Sequence, residues 1–205
     1  MTDVSLLLAT RSEGKLRELR QQFAGSGLEV TDLVALGVAP DPIEDELEVE
    51  DTFEENALAK ARYFSDLLGR PVVADDSGLE VVALGGRPGV RSKRWSGPPE
   101  LAGQALDDAN NVRLLAELVG KHDRRAQYVC CAAYVDGPLE IIRRGEVRGE
   151  ITLVPRGAGG FGYDPYFFSP ELGKTFGEAT ANEKESVSHR GRAFRELIAA
   201  ILERR

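Results

Sequence analysis

The sequence predicts an α/β protein whose mixed β-sheet is flanked by helices, and three observations predict it. The chain opens with a short apolar run, a tight turn and a helix-periodic segment, the start of a parallel βαβ unit. A second helix-periodic segment then leads into another apolar, strand-like run that reaches Asp75. Later, Ala126–Val135 and Leu139–Val147 read as strands separated only by Asp136-Gly137-Pro138, the pattern of a hairpin. A parallel start with a later hairpin makes the sheet mixed.

The elements follow in order. Val4–Ala9 ("VSLLLA") is short and wholly apolar, as a buried strand is. Leu16, Leu19 and Phe23 then recur at helical spacing, with Ser12 as N-cap and Gly25 and Gly27 as the stop. Thr52 and Glu55 have capping-box spacing, and Phe53, Ala57, Ala61, Phe64 and Leu68 form one apolar stripe of a helix ending near Leu68. Asn56 and Lys60 lie one turn apart on the adjoining face. Pro71 restarts the chain as a strand predicted to end at Asp75-Asp76. A helix is expected over Asp107–Val119, and a last one carries Phe194, Leu197, Ile198 and Ile201 on one side.

Composition narrows the partners. The 205 residues are 42% hydrophobic and 29% charged, which fits one soluble domain over 1–205. The net charge of −8 opposes nucleic-acid or anionic-membrane binding, because both rest on a basic surface. Asp41–Glu55 holds nine acids and no Lys or Arg, which reads mainly as a solvated acidic face. No apolar run approaches the roughly 20 residues that span a membrane. The N-terminus lacks a basic lead and a small-residue cleavage site, so no signal peptide is read. The only cysteines, Cys130 and Cys131, are neighbours in an apolar run and suit a buried, reduced strand in the cytoplasm.

Four stretches could carry chemistry. In "ATRSEGKLREL", Ala9–Leu19, a strand, a turn and a helix start succeed one another. Helix-start N–H groups favour an anion, Lys15 and Arg11 add charge, and Gly14 permits close approach. In "GAGGFGYDPYFF", Gly157–Phe168, the match to a dinucleotide fingerprint is spurious, since no helix follows it. It reads instead as a permissive loop presenting Phe161 and Tyr163 beside Asp164, an aromatic face for a nucleobase. Tyr166, Phe167 and Phe168 read as core. In "NEKESVSHRGRAFREL", Lys184, His189 and Arg190 stand at the start of the last helix, where they can donate to a carbonyl on a base edge. Finally, Asp75-Asp76 sits at a predicted strand end, where ligands bind in open α/β sheets. Read alone, Asp-Asp-Ser-Gly is an Asx-type turn. Facing a triphosphate, one of the acids can hold Mg²⁺ or activate a water.

Taken together, "LATRSEGKLREL", "TFEENALAKAR", "VADDSGLEVVALGGRPGVRSKRW", "GGFGYDPYFF" and "NEKESVSHRGRA" resemble the inosine triphosphate pyrophosphatases, the Ham1-like family, in five ordered blocks nearly end to end. The resemblance implies an elongated mixed sheet, two lobes with the active-site cleft between them, and a homodimer. It implies Mg²⁺-dependent hydrolysis of ITP, dITP and XTP to the monophosphate and pyrophosphate. Residue by residue it makes Asp76 the general base and a metal ligand, with Ser77 beside it on the substrate. Thr10, Arg11, Ser12, Glu13, Gly14 and Lys15 match the phosphate turn, with Lys60 a second phosphate cation. Phe161, Gly162, Tyr163 and Asp164 match the base-stacking loop, and Lys184, His189 and Arg190 the base-edge readers. Glu48 best matches a metal-coordinating Glu, with Glu46 and Glu50 as alternatives. One departure stands out: the family has Asn where this chain has Ser12. Maf-like pyrophosphatases share the first turn but would lack "SHRG" and "FGYDP".

Overall fold

The computed structural model describes residues 5–96 and 100–204. Its seven-stranded sheet has the order β2-β1-β3-β4-β5-β6-β7. The strands are β1 (Leu6–Leu8), β2 (Val30–Asp32), β3 (Val72–Val81), β4 (Arg125–Asp136), β5 (Leu139–Ile151), β6 (Phe167–Ser169) and β7 (Lys174–Thr175). β1 pairs in parallel with β2 and with β3, where Leu7 faces Val72 and Leu8 faces Val73. β6 is antiparallel to β5 and to β7. The sheet is therefore mixed, as the sequence predicts. The helices are α1 (Glu13–Phe23), α2 (Phe53–Leu68), α3 (Gly103–Glu117), α4 (Ala181–Val187) and α5 (His189–Leu202). Val4, the first residue of the strand predicted over Val4–Ala9, lies outside the described residues.

The local reasons match the sequence. Ser12 caps α1, its side chain accepting from Lys15 N at 3.4 Å. Thr52 caps α2 by accepting from Glu55 N at 3.2 Å, but Glu55 takes the Thr52 hydroxyl rather than the backbone N–H of a full capping box. Gly69, at φ 58°, closes α2 in the left-handed conformation.

Several boundaries differ from prediction; β5, for instance, runs to Ile151 rather than Val147. α3 starts at Gly103 and ends at Glu117 rather than spanning Asp107–Val119. Lys184 lies in α4, a separate short helix before the last one. The largest correction concerns β3, which does not end at Asp75-Asp76 but runs through both acids to Val81.

The chain forms two compact units. The first comprises residues 1–76, 130–145 and 190–205, with a core of β1, α1 and α5 side chains such as Leu6, Leu19, Phe194 and Leu197. The second comprises residues 77–129 and 146–189, and its core includes Leu79, Trp95, Leu114, Tyr128, Phe167 and Phe176. Cys130 and Cys131 are buried free thiols in β4, as predicted. Among the described residues no helix is long and apolar enough to cross a membrane.

Candidate active site

The first unit gathers the charged residues. Neighbouring side chains of a strand leave on opposite faces, so Asp75 and Asp76 in β3 have different company. Asp75 is fully buried, and Lys15 Nζ lies 3.2 Å from its Oδ2. Arg190 donates to the same oxygen through Nε at 3.3 Å and Nη2 at 3.2 Å. Burial pushes the Asp75 carboxyl up, but Lys15, Arg190 and Lys60 outweigh it and hold the group well below the usual carboxylate range. Burial likewise pulls the Lys15 ammonium down, and attraction to Asp75 reverses this, so its pKa is raised.

Asp76 is 5% exposed and accepts from Asn56 Nδ2 at 3.0 Å. Burial and repulsion from Glu48 prevail over Lys15 and Lys60, and its pKa is pushed up to about 6. Lys60 Nζ bridges Glu48 Oε1 at 2.5 Å and the Asp75 carbonyl at 2.6 Å. Adjacent acids are thus driven apart in acidity, which separates a fixed anionic anchor from a group able to exchange protons near neutral pH. Asp75 is the anchor and Asp76 the exchanger.

Of the turn predicted to hold phosphate, Lys15 reaches this pair. Thr10 Oγ1 accepts from Ser12 N at 3.2 Å, and Glu13 and Gly14 open α1. Arg11, predicted as a phosphate cation, is engaged elsewhere. It donates to Glu44 through Nε at 3.0 Å and Nη2 at 2.7 Å, and to the Val38 and Ala39 carbonyls at 2.7 and 3.0 Å. The turn before α1 is thereby tied to the acidic segment that includes Glu48. Arg190, 2% exposed, donates to Asp75 and through Nη1 to Glu18, and so braces the buried acid.

The second unit holds the aromatic loop. Asp164 accepts from Phe161 N at 2.8 Å and from Tyr128 Oη at 3.4 Å, and Lys184 Nζ lies 2.5 Å from its Oδ2. Gly160 makes this possible: a Cβ there would sit 2.1 Å from Asp164 Oδ2, at a φ of +73°. Lys184 Nζ stands 4.8 Å from the centre of the half-buried Phe161 ring. His189 stacks on Tyr128 at 4.6 Å with the rings 9° from parallel. Tyr163, predicted beside Phe161 as a stacking face, is instead a core residue, 4% exposed, with its hydroxyl donating to Ser92 O at 2.7 Å. Phe161 is the loop's remaining aromatic face. Ser77 follows Asp76 within β3 and is half-buried.

Sequence reasoning assigned no role to Asn56, Glu18, Asp107 or Asn111. Asn56 had a signal, a polar side chain one turn before Lys60 beside an apolar stripe, and it is fully buried against Asp76. The others carry no local sign, since their partners lie far along the chain.

The donor set also bears on a metal. Among the described residues no group of three or more His, Cys, Asp or Glu could hold an ion. Burial, together with repulsion from the nearby Glu48 carboxylate, raises the pKa of Asp76. That pair fits Mg²⁺, which takes one or two protein carboxylates and otherwise keeps waters and phosphate oxygens.

A model of the Ham1 family matches residues 6–200. A dITP/XTP pyrophosphatase of Frankia alni is 49% identical over 201 residues, covering 97% of both chains. One of Ralstonia nicotianae is 48% identical, covering 96% of each. Among solved structures, the Staphylococcus aureus Ham1 protein superposes with a TM-score of 0.83 at 34% identity, covering 98% of this chain and 100% of that one.

Proposed function

This chain belongs to the Ham1 family, and from that premise we propose that it is a nucleoside triphosphate pyrophosphatase that hydrolyses dITP, ITP and XTP to the monophosphate and pyrophosphate. The observation that carries the reading is the buried acid pair of β3, with Asp75 held by Lys15 and Arg190 and Asp76 left with a pKa near 6. A general base works best when its pKa lies near the operating pH. Asp76 orients a water and takes its proton as the oxygen bonds to the α-phosphorus. The bond from that phosphorus to the α–β bridging oxygen breaks, and pyrophosphate leaves. Lys15 and Lys60 neutralise the triphosphate, together with N–H groups at the start of α1. Asp76 and Glu48 would hold Mg²⁺. That ion, when bound, supplies charge neutralisation on the phosphates and lowers the pKa of water.

The second unit would take the base. Phe161 stacks on the purine, and Lys184 and His189 supply donors for a 6-oxo oxygen. Adenine offers a 6-amino group there, which leaves such donors unpaired and costs orders of magnitude in selectivity. Pairing as a homodimer and residence in the cytoplasm complete the reading, the latter supported by two buried free thiols.

The test is a turnover panel with ITP, XTP, GTP, ATP, dTTP and UTP in Mg²⁺, with pyrophosphate and orthophosphate measured separately. ITP and XTP are expected to lead, with pyrophosphate the sole inorganic product. Orthophosphate release, or a preference for a pyrimidine triphosphate, refutes the assignment.

A further inference from the structure

Helix α3 lies outside every block that carries the family resemblance, yet two of its side chains grip the middle of the aromatic loop. The Gly162 N–H donates to Asp107 Oδ2 at 2.7 Å, and Asn111 Nδ2 donates to the Gly162 carbonyl at 2.9 Å. Asp107 and Asn111 are four apart, so one helical face presents an acceptor and a donor to a single peptide unit and its neighbour. Gly162 stands at φ +62°, with nothing within 4 Å of a would-be Cβ. Its need for glycine is therefore conformational, and the α3 grip holds that conformation.

Neither side chain is there for convenience. The Asn111 Oδ1 is buried and accepts no hydrogen bond among the described residues. A buried acceptor left unmet is costly and calls for a reason. Asp107 is a half-buried carboxylate whose acidity burial weakens while the Gly162 N–H strengthens it. The next residues of the helix extend the pattern. Asn110 accepts from Ser96 N at 2.8 Å and donates to the Lys93 carbonyl at 3.0 Å. The same helix thus also fixes the 89–96 segment, whose Ser92 carbonyl receives the Tyr163 hydroxyl.

We propose that Asp107 and Asn111 are positioning residues for purine selectivity, setting the aim of Phe161 by clamping Gly162. The inference rests on the reading that this loop takes the base. Loosening the loop costs binding energy that ground state and transition state share, because the base is remote from the phosphorus under attack. The signature is therefore a raised KM at an unchanged kcat.

Asp107→Ala and Asn111→Ala are each expected to raise the KM for ITP about tenfold and to hold kcat within about twofold. The ITP-over-ATP ratio of kcat/KM falls in step. Asp107→Asn keeps an oxygen for the Gly162 N–H and is expected to restore the wild-type KM, which a merely structural role at this position does not require. Phe161→Ala separates the two levels. If it leaves the KM for ITP unchanged, the loop does not take the base, and the base-site reading falls with the clamp. If it raises KM while both alanine variants on α3 keep the wild-type value, the clamp alone is refuted. A fall in kcat equal for ITP and ATP, or Asp107→Asn behaving like Asp107→Ala, also overturns it.

Discussion

Replacing Asp76 by Asn separates what that residue does for catalysis from what it costs the fold. The carboxyl has a pKa of about 6 in the folded protein against an ordinary 3.8, because burial and Glu48 disfavour its charge. An acid whose folded pKa is raised binds its proton more tightly in the native state. Its contribution to stability is fully present below pH 3.8 and is lost as pH rises through about 6. At about 1.4 kcal/mol per pH unit, that interval amounts to a loss of about 3 kcal/mol by neutral pH. Asn has nearly the same shape, can still accept from Asn56 Nδ2 through its oxygen, and never ionises.

The measurement is urea unfolding of wild type and Asp76→Asn in EDTA, at several pH values from 4 to 8. Each other titrating group is shared and cancels in the difference. The variant is expected to gain about 2.4 kcal/mol relative to wild type between pH 4 and pH 8. At pH 8 with Mg²⁺ it is expected to lose turnover of ITP by on the order of 10²–10⁴-fold, because its amide cannot take a proton from water. A stability difference that stays flat with pH, or that runs the other way, refutes the account of Asp76 as a strained, proton-exchanging acid. Near wild-type turnover refutes its role as the base.

Three further outcomes follow. Glu48→Gln is expected to raise the Mg²⁺ concentration for half-maximal activity by about tenfold, in the range seen when metal-site partners are altered, while Glu46→Gln and Glu50→Gln leave it unchanged in the same titration. Arg190→Ala is expected to lower stability by about 3–5 kcal/mol in urea unfolding, because it strips one partner from the buried Asp75; a loss below about 1 kcal/mol would show the brace to be dispensable. Gly160→Ala drives a methyl group into Asp164 Oδ2 at a strained φ, so about 1–3 kcal/mol of stability should go, with the KM for ITP rising as Lys184 loses its anchor.

The misreading at β3 and the correct reading at α1 have one cause between them. At α1 everything that determines the element is local: an apolar run, Ser12 to cap the helix and Leu16, Leu19 and Phe23 to give the period. The same is true of α2 and of the hairpin strands β4 and β5. Asp75-Asp76-Ser77-Gly78 carries equally local signals, and they all say turn. A strand passes through instead because Lys15, Lys60 and Arg190 converge on Asp75, and those three are 60, 15 and 115 positions away in the chain. Local propensity loses to charge compensation that no window of sequence contains. Arg11 and Arg190 show the matching limit, since the carboxylate partner of a guanidinium cannot be read from the residues around it. The residue types of the site could thus be read from the chain, and the family resemblance singled out Asp76, while the partners that divide the labour between its two acids could not be read. Swapping that division is the sharpest expression of the point: Asp75→Asn should strip the anchor from Lys15 and Arg190 and cost stability at pH 8, where Asp76→Asn, one residue along the same strand, should add it.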